Sequence, residues 1–550
     1  MTATVIDAGD GLPLTVPALL RSQVAARPDA VLLACDDDVL TYGAADERSA
    51  ALARGLLAAG AGKGTHVGIL HPNGSEFVVS WLAAARIGAV SVPLSTFSTG
   101  AELAGLLRNA DVALLLSAAG YRSHDYVQAL GAAIPELDLT VPPPLLAPSA
   151  PVLRRIAFAG EPAGVDPACS PGAWTTAALV AHAAGLDDTV LRAAEDAVSP
   201  ADRLVIVHTS GSTSEPKGVI HTHGALIRHL DNLNELRRYT PDEVLFSNSP
   251  FFWIGGFAYG LLGTLLAGAE LVCSNAADPA AVLDVIERER PTMVNGFAQS
   301  VAHLPADPSF AGRDLSSIRR GNLYPIMPPA VRPADPELRH QMLGMTEAGS
   351  VCLVSDDEGE QPEHRRGSFG RPAPGFEARV VDPDTGSPCA PGEPGELHFR
   401  GPFLMEGYYG RPRHETFDPD GWYATGDLVV VDDDGFFSFR GRHSEMIKTA
   451  GANVSPREVE AAILEITGLV AHVVGLDDPD RGQIVAAALR LPTGRSIDLD
   501  LDALRTALAE RLSSYKLPRR ILPLPEAAIP LMSSGKLDLP ALKALFHDTR

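Results

Sequence analysis

Cysteine is scarce: Cys35, Cys169, Cys273, Cys352 and Cys389 stand far apart and form neither a C-x-x-C pair nor a Cys/His cluster. That excludes a disulfide-stapled scaffold and a zinc-finger type of site, and points to a reducing, cytoplasmic setting. Basic residues are outnumbered, 45 Lys and Arg against 68 Asp and Glu, for a net charge of −23. Such a balance argues against a general nucleic-acid binder or a protein held on anionic membranes. The first residues, MTATVIDAGDGLPLT, lack a basic stretch followed by an apolar one, so no secretory signal is expected. Long apolar runs are missing too, with one exception. Residues 244–269 carry no charge over 26 positions, but Asn248, Pro250 and five glycines (Gly255, Gly256, Gly260, Gly263, Gly268) interrupt them. With no basic flank, a buried strand, loop and helix are expected there and not a membrane span.

What is present is a folding chain: 550 residues, 45% apolar and 21% charged. That length suggests roughly three or four packing units, none needing a staple to hold its core. Short β-branched runs (HVGIL, AVSVPL, LVIVH) alternate with Ala/Leu-rich helical stretches such as SWLAAARIG through the first half, the rhythm of α/β units with buried parallel strands. Residues 141–174, rich in Pro and Ala, read as a long loop. After Phe376 the texture turns to short alternating strands with Gly, Pro and Asp turns, which suggests an antiparallel β subdomain. From Ser444 a helix over 456–466, the strands VAHVVGL and IVAAALRL, and a helix over 501–512 make a compact α+β unit. The fold class expected is therefore α/β: a large N-terminal domain of parallel subdomains plus a small antiparallel one, over residues 1–443, then a small α+β domain over 444–550.

One stretch carries more chemistry than the rest. Thr209-Ser210-Gly211-Ser212-Thr213-Ser214-Glu215-Pro216-Lys217-Gly218 follows directly on the apolar strand LVIVH. Hydroxyls and a glycine offer donors and close backbone approach, and a lysine offers a point charge, which together suit a polyphosphate. A Walker A loop needs glycine before its lysine and Ser or Thr after it; Pro216 and Gly218 stand there, so that reading fails. Alone, the stretch could also be an ordinary Ser/Thr/Gly turn, the less favoured of the two readings.

Five further motifs follow in order: GMTE (Gly344 to Glu347), GWYATGDL (Gly421 to Leu428), GRxxxxIKxxGxxVxPxEVE (Gly441 to Glu460), SSYKLP (Ser513 to Pro518) and SGK (Ser534 to Lys536). Together with the phosphate loop they resemble the adenylate-forming superfamily, which holds acyl-CoA synthetases, peptide-synthetase adenylation domains and firefly luciferase; the likeness is greatest to the acyl-CoA synthetases. The resemblance runs from about Leu40 to Leu545. It implies a large domain, a mobile C-terminal lid, a hinge at Ser444, and an ATP-dependent ligase that makes an acyl-AMP and passes its acyl group to a thiol.

The resemblance also implies roles. Thr209, Ser210, Gly211, Ser212, Thr213 and Lys217 would hold the β- and γ-phosphates, Glu347 would ligate Mg²⁺ and Thr346 would touch the α-phosphate. Gly321, Asn322, Leu343, Gly344 and Met345 would border the nucleotide. Asp427 would accept from the ribose hydroxyls with Arg442 assisting; by itself Asp427 reads equally as a turn cap after Gly426. Lys536 would be the catalytic lysine brought by the lid, although a lone lysine in a tail is ordinarily a solvated one. Lys448, Gly451 and Ala452 would line a CoA channel. Phe252, Trp253, Gly255, Gly256 and Gly296 would form the acyl pocket, with Trp253 readable also as plain aromatic core. No Ser-His-Asp machinery is needed because the incoming thiol is the nucleophile.

Bulky aromatics beside glycines, with no aspartate near Trp253 to take an α-amino group, favour a hydrophobic acid: fatty, aromatic or polycyclic. No carrier domain precedes Arg550, so free CoA is expected as acceptor, a separate carrier protein being the alternative. A monomer or homodimer is expected. Three departures from the family pattern cluster on the ATP side: Ser214 where glycine is usual, Leu343 where an aromatic is usual, and Arg320-Gly321-Asn322-Leu323-Tyr324-Pro325 followed by Pro328, Pro329, Pro333 and Pro336. Proline at that density excludes a regular helix. They open a second reading, an enzyme biased to thiolation that takes preformed acyl-AMP from a separate adenylating enzyme. A non-catalytic nucleotide-binding relative is a third.

Overall fold

The computed structural model describes residues 11–160, 171–209, 216–442, 446–449, 452–479, 481–492, 500–509, 511–512, 516–532 and 536–548. The apolar runs of the first half become central strands because both their faces are covered. His66–Leu70, Val90–Pro93 and Leu114–Ala118 are buried almost throughout. They sit in a seven-stranded sheet ordered Gly407–Tyr408, Lys217–Thr222, Arg203–Thr209, Val90–Pro93, His66–Leu70, Leu114–Ala118, Arg155–Ala159. The last five are parallel and the first two antiparallel to their neighbours. A six-stranded sheet runs Arg320–Gly321, Met293–Val294, Val244–Phe246, Glu270–Cys273, Val31–Cys35, Asp38–Thr41, parallel except at its last strand.

The helix Ser75–Arg86 is apolar nearly all round and buried to match, with Glu76 its one side chain left partly exposed. Its Phe77 meets Phe251 and its Trp81 meets Phe257 edge to face, at centroid distances of 5.4 and 5.3 Å. Arg86 ends it with a guanidinium held by Glu195 at 2.6 Å and Asp46 at 2.7 Å. A buried cation needs such partners, and losing either would strand a charge.

Residues 244–269 form a strand, Val244–Phe246, a loop, and a helical run of Gly255–Leu262, wound as π-helix, and Gly263–Ala267 ending at left-handed Gly268. Among the described residues no helix is long and apolar enough to cross a membrane. The segment after Gly321 has only short 3₁₀ turns, Tyr324–Ile326 and Pro336–Leu338, as its prolines require. The loop expected over 141–174 needs correction. Arg155–Ala159 is a strand in full parallel register with Leu114–Ala118, burying Ile156, Ala157 and Phe158; its prolines flank it and do not enter it. Of the cysteines, Cys35, Cys273 and Cys352 are buried, Cys389 is half-exposed and Cys169 lies outside the described residues.

By packing, the chain divides into Met1–Glu377 with Arg400–Trp422, and Ala378–Phe399 with Tyr423–Arg550. The antiparallel sheet Glu377–Val381, Gly395–Arg400, Tyr423–Val431, Phe437–Arg442 thus groups largely with the tail. The tail's long strand Gly482–Leu491 feeds two cores by alternation. Val485, Ala487 and Leu489 pack with the helices Pro456–Thr467 and Leu501–Ala509, while Ala486 and Ala488 pack with Leu542 and Phe546 of Leu539–Asp548. The sequence reading missed that last helix and the parallel strand Arg520–Pro525. Pro523 and Pro525 obscure the strand, which tolerates them because it lies at a sheet edge.

Candidate active site

The phosphate stretch begins and ends on two antiparallel strands. Thr209 closes Arg203–Thr209 and faces Lys217, the first residue of Lys217–Thr222. Ser210, Gly211, Ser212 and Thr213 lie outside the described residues. Pairing on the far side sets Val219 against Tyr408 of the short strand Gly407–Tyr408. This brings the Lys217 ammonium to 4.9 Å from the centroid of the Tyr408 ring. The same tyrosine donates its hydroxyl to Glu347 Oε1 at 2.8 Å.

Glu347 sits in the turn Thr346–Ala348, reached from the strand Leu343–Met345, which pairs with Ser350–Val354. Gly349 closes the turn at φ 74, and a Cβ there would press on Leu226 and His221, so the position demands glycine. The Thr346 carbonyl accepts from Gly349 N at 2.9 Å and from His221 Nε2 at 2.6 Å. A carbonyl only accepts, so Nε2 of His221 carries the proton; burial lowers the His221 pKa to about 4 and keeps the ring neutral. Glu347 is also tied through its backbone, its carbonyl accepting from Met405 N at 2.8 Å. Lys217, Thr346 and Glu347, chosen from sequence, are thus gathered by one hairpin and its neighbours. Tyr408 and His221 were missed, since nothing in their local sequence says that positions 217, 347 and 408 meet.

Glu347 suits a hard cation. One carboxylate oxygen is engaged by a phenol and the other makes no hydrogen bond among the described residues, leaving an oxygen donor of the kind Mg²⁺ takes alongside phosphates and water. Among the described residues no group of three or more His, Cys, Asp or Glu forms a metal cage. A lone carboxylate is the usual protein share of a nucleotide-bound Mg²⁺.

On the acyl side, Phe97, Phe252, Trp253 and Phe297 follow one another edge to face at 5.5, 5.5 and 5.8 Å. Phe297 is 58% exposed, so Trp253 is not enclosed as ordinary core. Sequence reading overlooked Phe297, whose signal was an aromatic directly after a loop glycine. Gly255 borders open space, but Gly256 does not: a Cβ there would collide with the Pro250 carbonyl oxygen. Of the two glycines, Gly255 is the one with space beside it. Gly296 and Asn322 are tied both ways, Gly296 N donating to Asn322 Oδ1 and Asn322 Nδ2 donating to Gly296 O, each at 3.0 Å. Gly321, at φ 132, packs so closely on Val294 that a Cβ has no space. A cavity of about 350 Å³ opens beside Phe252, with Phe97, Asn73, Asn275, Arg122 and His303 among its walls.

In the second packing unit, Asp427 and Arg442 face each other across neighbouring strands, with Arg442 Nε at 2.9 Å from Asp427 Oδ1. The turn-capping role falls to Thr425, whose Oγ1 accepts from Asp427 N at 3.0 Å, so the buried Asp427 carboxylate is not spent on its own turn. Lys448 and Ala452 lie on the hairpin strands Ile447–Thr449 and Ala452–Val454, while Ser444 and Gly451 lie outside the described residues. Lys536 is exposed and its carbonyl accepts from Met532 N at 2.7 Å, beside the bridge from Leu531 to Leu537.

Residues 20–409 match the family described as AMP-binding enzyme, and residues 458–536 match the AMP-binding enzyme C-terminal domain. The chain belongs to this AMP-binding enzyme family. It is 31% identical to a feruloyl-CoA synthase of an Amycolatopsis species, over 90% of this chain and 92% of that protein. It is likewise 31% identical to the 2-hydroxy-7-methoxy-5-methyl-1-naphthoate--CoA ligase of Streptomyces carzinostaticus, over 94% and 90%. Its fold is similar to that of the anthranilate CoA ligase AuaEII solved with anthranoyl-AMP, with a TM-score of 0.79 at 22% identity, covering 98% of this chain and 99% of the other. The protein is an ATP-dependent, AMP-forming ligase of the acyl-CoA synthetase type.

Proposed function

We propose that the protein joins a hydrophobic carboxylic acid, fatty, aromatic or polycyclic, to CoA through an acyl-AMP. The observation that supports this most is the placement of Lys217 and Glu347 on the ring and hydroxyl of a single tyrosine, a lysine for phosphate and a carboxylate for metal held within one hairpin neighbourhood. In the first half-reaction a substrate carboxylate oxygen attacks the α-phosphorus of ATP and the bond to pyrophosphate breaks. Bound Mg²⁺ supplies charge neutralisation at the phosphates. Glu347 holds that ion, Lys217 binds the β- and γ-phosphates, Thr346 the α-phosphate, and Lys536 is assigned to the carboxylate and α-phosphate oxygens. Asp427 takes the ribose hydroxyls and Arg442 orients it.

In the second half-reaction the CoA thiol attacks the acyl carbon, losing its proton, and AMP leaves. Lys448, Gly451 and Ala452 are assigned to the pantetheine path, and Ser444 to the hinge of a functional division at 443/444. The aromatic run Phe97, Phe252, Trp253, Phe297 favours a flat or extended apolar acid. The aryl-CoA ligases among its relatives point the same way. A cytoplasmic setting, expected from the scattered cysteines, belongs to the same proposal.

A second reading stands on one feature. The segment from Gly321 to Leu343 offers 3₁₀ turns and an aliphatic side chain where adenine would be recognised, which favours an enzyme better at using acyl-AMP than at making it. Incubation with CoA and a panel of hydrophobic acids, given either as free acid with Mg·ATP or as preformed acyl-AMP, separates the two by mass spectrometry of the thioester. Thioester from both routes supports the full ligase. Thioester from the adenylate alone supports the second reading, and thioester from neither overturns both.

A further inference from the structure

Tyr408 belongs to none of the motifs that marked the site, yet it touches both of its opposite charges. Its side chain is buried, and its backbone is fixed by the pairing of Gly407–Tyr408 with Val219 and Ile220. The Lys217 ammonium lies 4.9 Å from its ring centroid and Glu347 Oε1 lies 2.8 Å from its hydroxyl. Among the described residues no ion pair joins Lys217 to Glu347; each meets a different part of the one side chain.

That separation has a chemical consequence. A lysine and a glutamate free to meet would neutralise each other, and each would then have to be pulled away before phosphate or metal could bind. An aromatic face attracts a cation without offering it a proton acceptor, while a phenol offers a carboxylate one donor and leaves its second oxygen open. Tyrosine does both at once, and phenylalanine or leucine cannot.

We infer that Tyr408 is a positioning residue that keeps Glu347 open toward a nucleotide-bound Mg²⁺ and Lys217 open toward the phosphates by holding the two charges apart. This rests on the functional reading above. Its action is through Glu347 and Lys217, and it transfers no proton in the reaction.

The test is binding of Mg·ATP by calorimetry at a series of Mg²⁺ concentrations, on wild type, Tyr408→Phe and Tyr408→Leu, with thermal melts to establish folding. Tyr409→Phe serves as control, because the Tyr409 hydroxyl bonds Asp111 at 2.7 Å at the surface. Removing the hydroxyl alone should raise the Mg²⁺ needed for half-maximal nucleotide binding by about tenfold, the weight of a hydrogen bond to a charged group. The difference from wild type should narrow in EDTA. Tyr408→Leu should in addition weaken ATP in EDTA, since Lys217 loses its ring, and Tyr409→Phe should match wild type. A folded Tyr408→Phe with wild-type Mg²⁺ dependence, or with a loss equal in Mg²⁺ and in EDTA, overturns the inference alone. A wild type that binds no Mg·ATP overturns the functional reading with it.

Discussion

Two regions that should serve one nucleotide are built very differently. On the phosphate side, Lys217, His221, Thr346, Glu347 and Tyr408 are borne on strands or on a tight turn, and every one is fixed by sheet pairing or by a hydrogen bond to its neighbour. On the side where the family recognises adenine, the chain from Asn322 to Gln341 is a run of 3₁₀ turns and prolines, and Leu343 stands where a stacking ring is usual. Charge has to be placed within a fraction of an ångström to act on a transition state, and rigid elements supply that. The base side lacks regular elements but is packed, with Leu323, Ile326 and Met327 buried in one core cluster. On the proposed assignment, regular structure is kept where the chemistry is.

Breaking the ordered side should cost most. Glu347→Gln removes the metal carboxylate and should lower thioester formation from acid and ATP by about a hundredfold. Steady-state rates at saturating acid check this, and a change of less than about threefold would remove Glu347 from the metal's coordination.

Next in size is the strand that leads into the base side. Gly321→Ala puts a Cβ against Val294 at φ 132 and should cost about 2 kcal/mol or more, read as a lowered midpoint in urea. An unchanged midpoint would show that the strand Arg320–Gly321 shifts freely.

Acid should loosen the ordered side specifically. Burial lowers His221 and His223 to about 4 and His229 to about 3, against an ordinary value of 6.5. The unfolded chain therefore binds more protons than the folded one below that value. The stability these neutral rings allow is whole above pH 6.5 and drains away as pH falls from there toward 4. The melting temperature should drop over that window, with hydrogen exchange rising first along Lys217–Thr222 and His223–Leu236. A melting temperature flat from pH 7.5 to 5 would contradict it.

The smallest effect tests the base side, at the first residue of the strand Leu343–Met345. Leu343→Phe restores a ring and should lower the KM for ATP by roughly threefold to tenfold, the size of one aromatic stacking contact, with kcat held. A fall in kcat/KM would mean that Leu343 has another task.

The same contrast governs what could be read in the sequence. The buried parallel strands were visible as apolar runs, and the lack of a helix after Gly321 was visible in its prolines. Lys217, Thr346 and Glu347 were marked by motif, and the fold brings them together. Arg155–Ala159 and Arg520–Pro525 escaped because flanking or internal prolines outweigh five or six residues of strand. Tyr408 and His221 escaped for a deeper reason. Their work depends on contacts across 61 and 125 positions of chain, and local spacing does not encode such meetings. Gly256, expected in the acyl pocket, packs against the Pro250 carbonyl, and a glycine looks the same in sequence whether it opens a pocket or closes a backbone contact.

On the proposed function, the ordered phosphate side makes the adenylate despite the irregular backbone of the base side. Acid-dependent exchange of labelled pyrophosphate into ATP, measured without CoA across the panel of hydrophobic acids, tests this most directly. Exchange that needs both a hydrophobic acid and Mg²⁺ is expected. Absence of exchange with every acid, from a protein that turns preformed acyl-AMP and CoA into thioester, would contradict it.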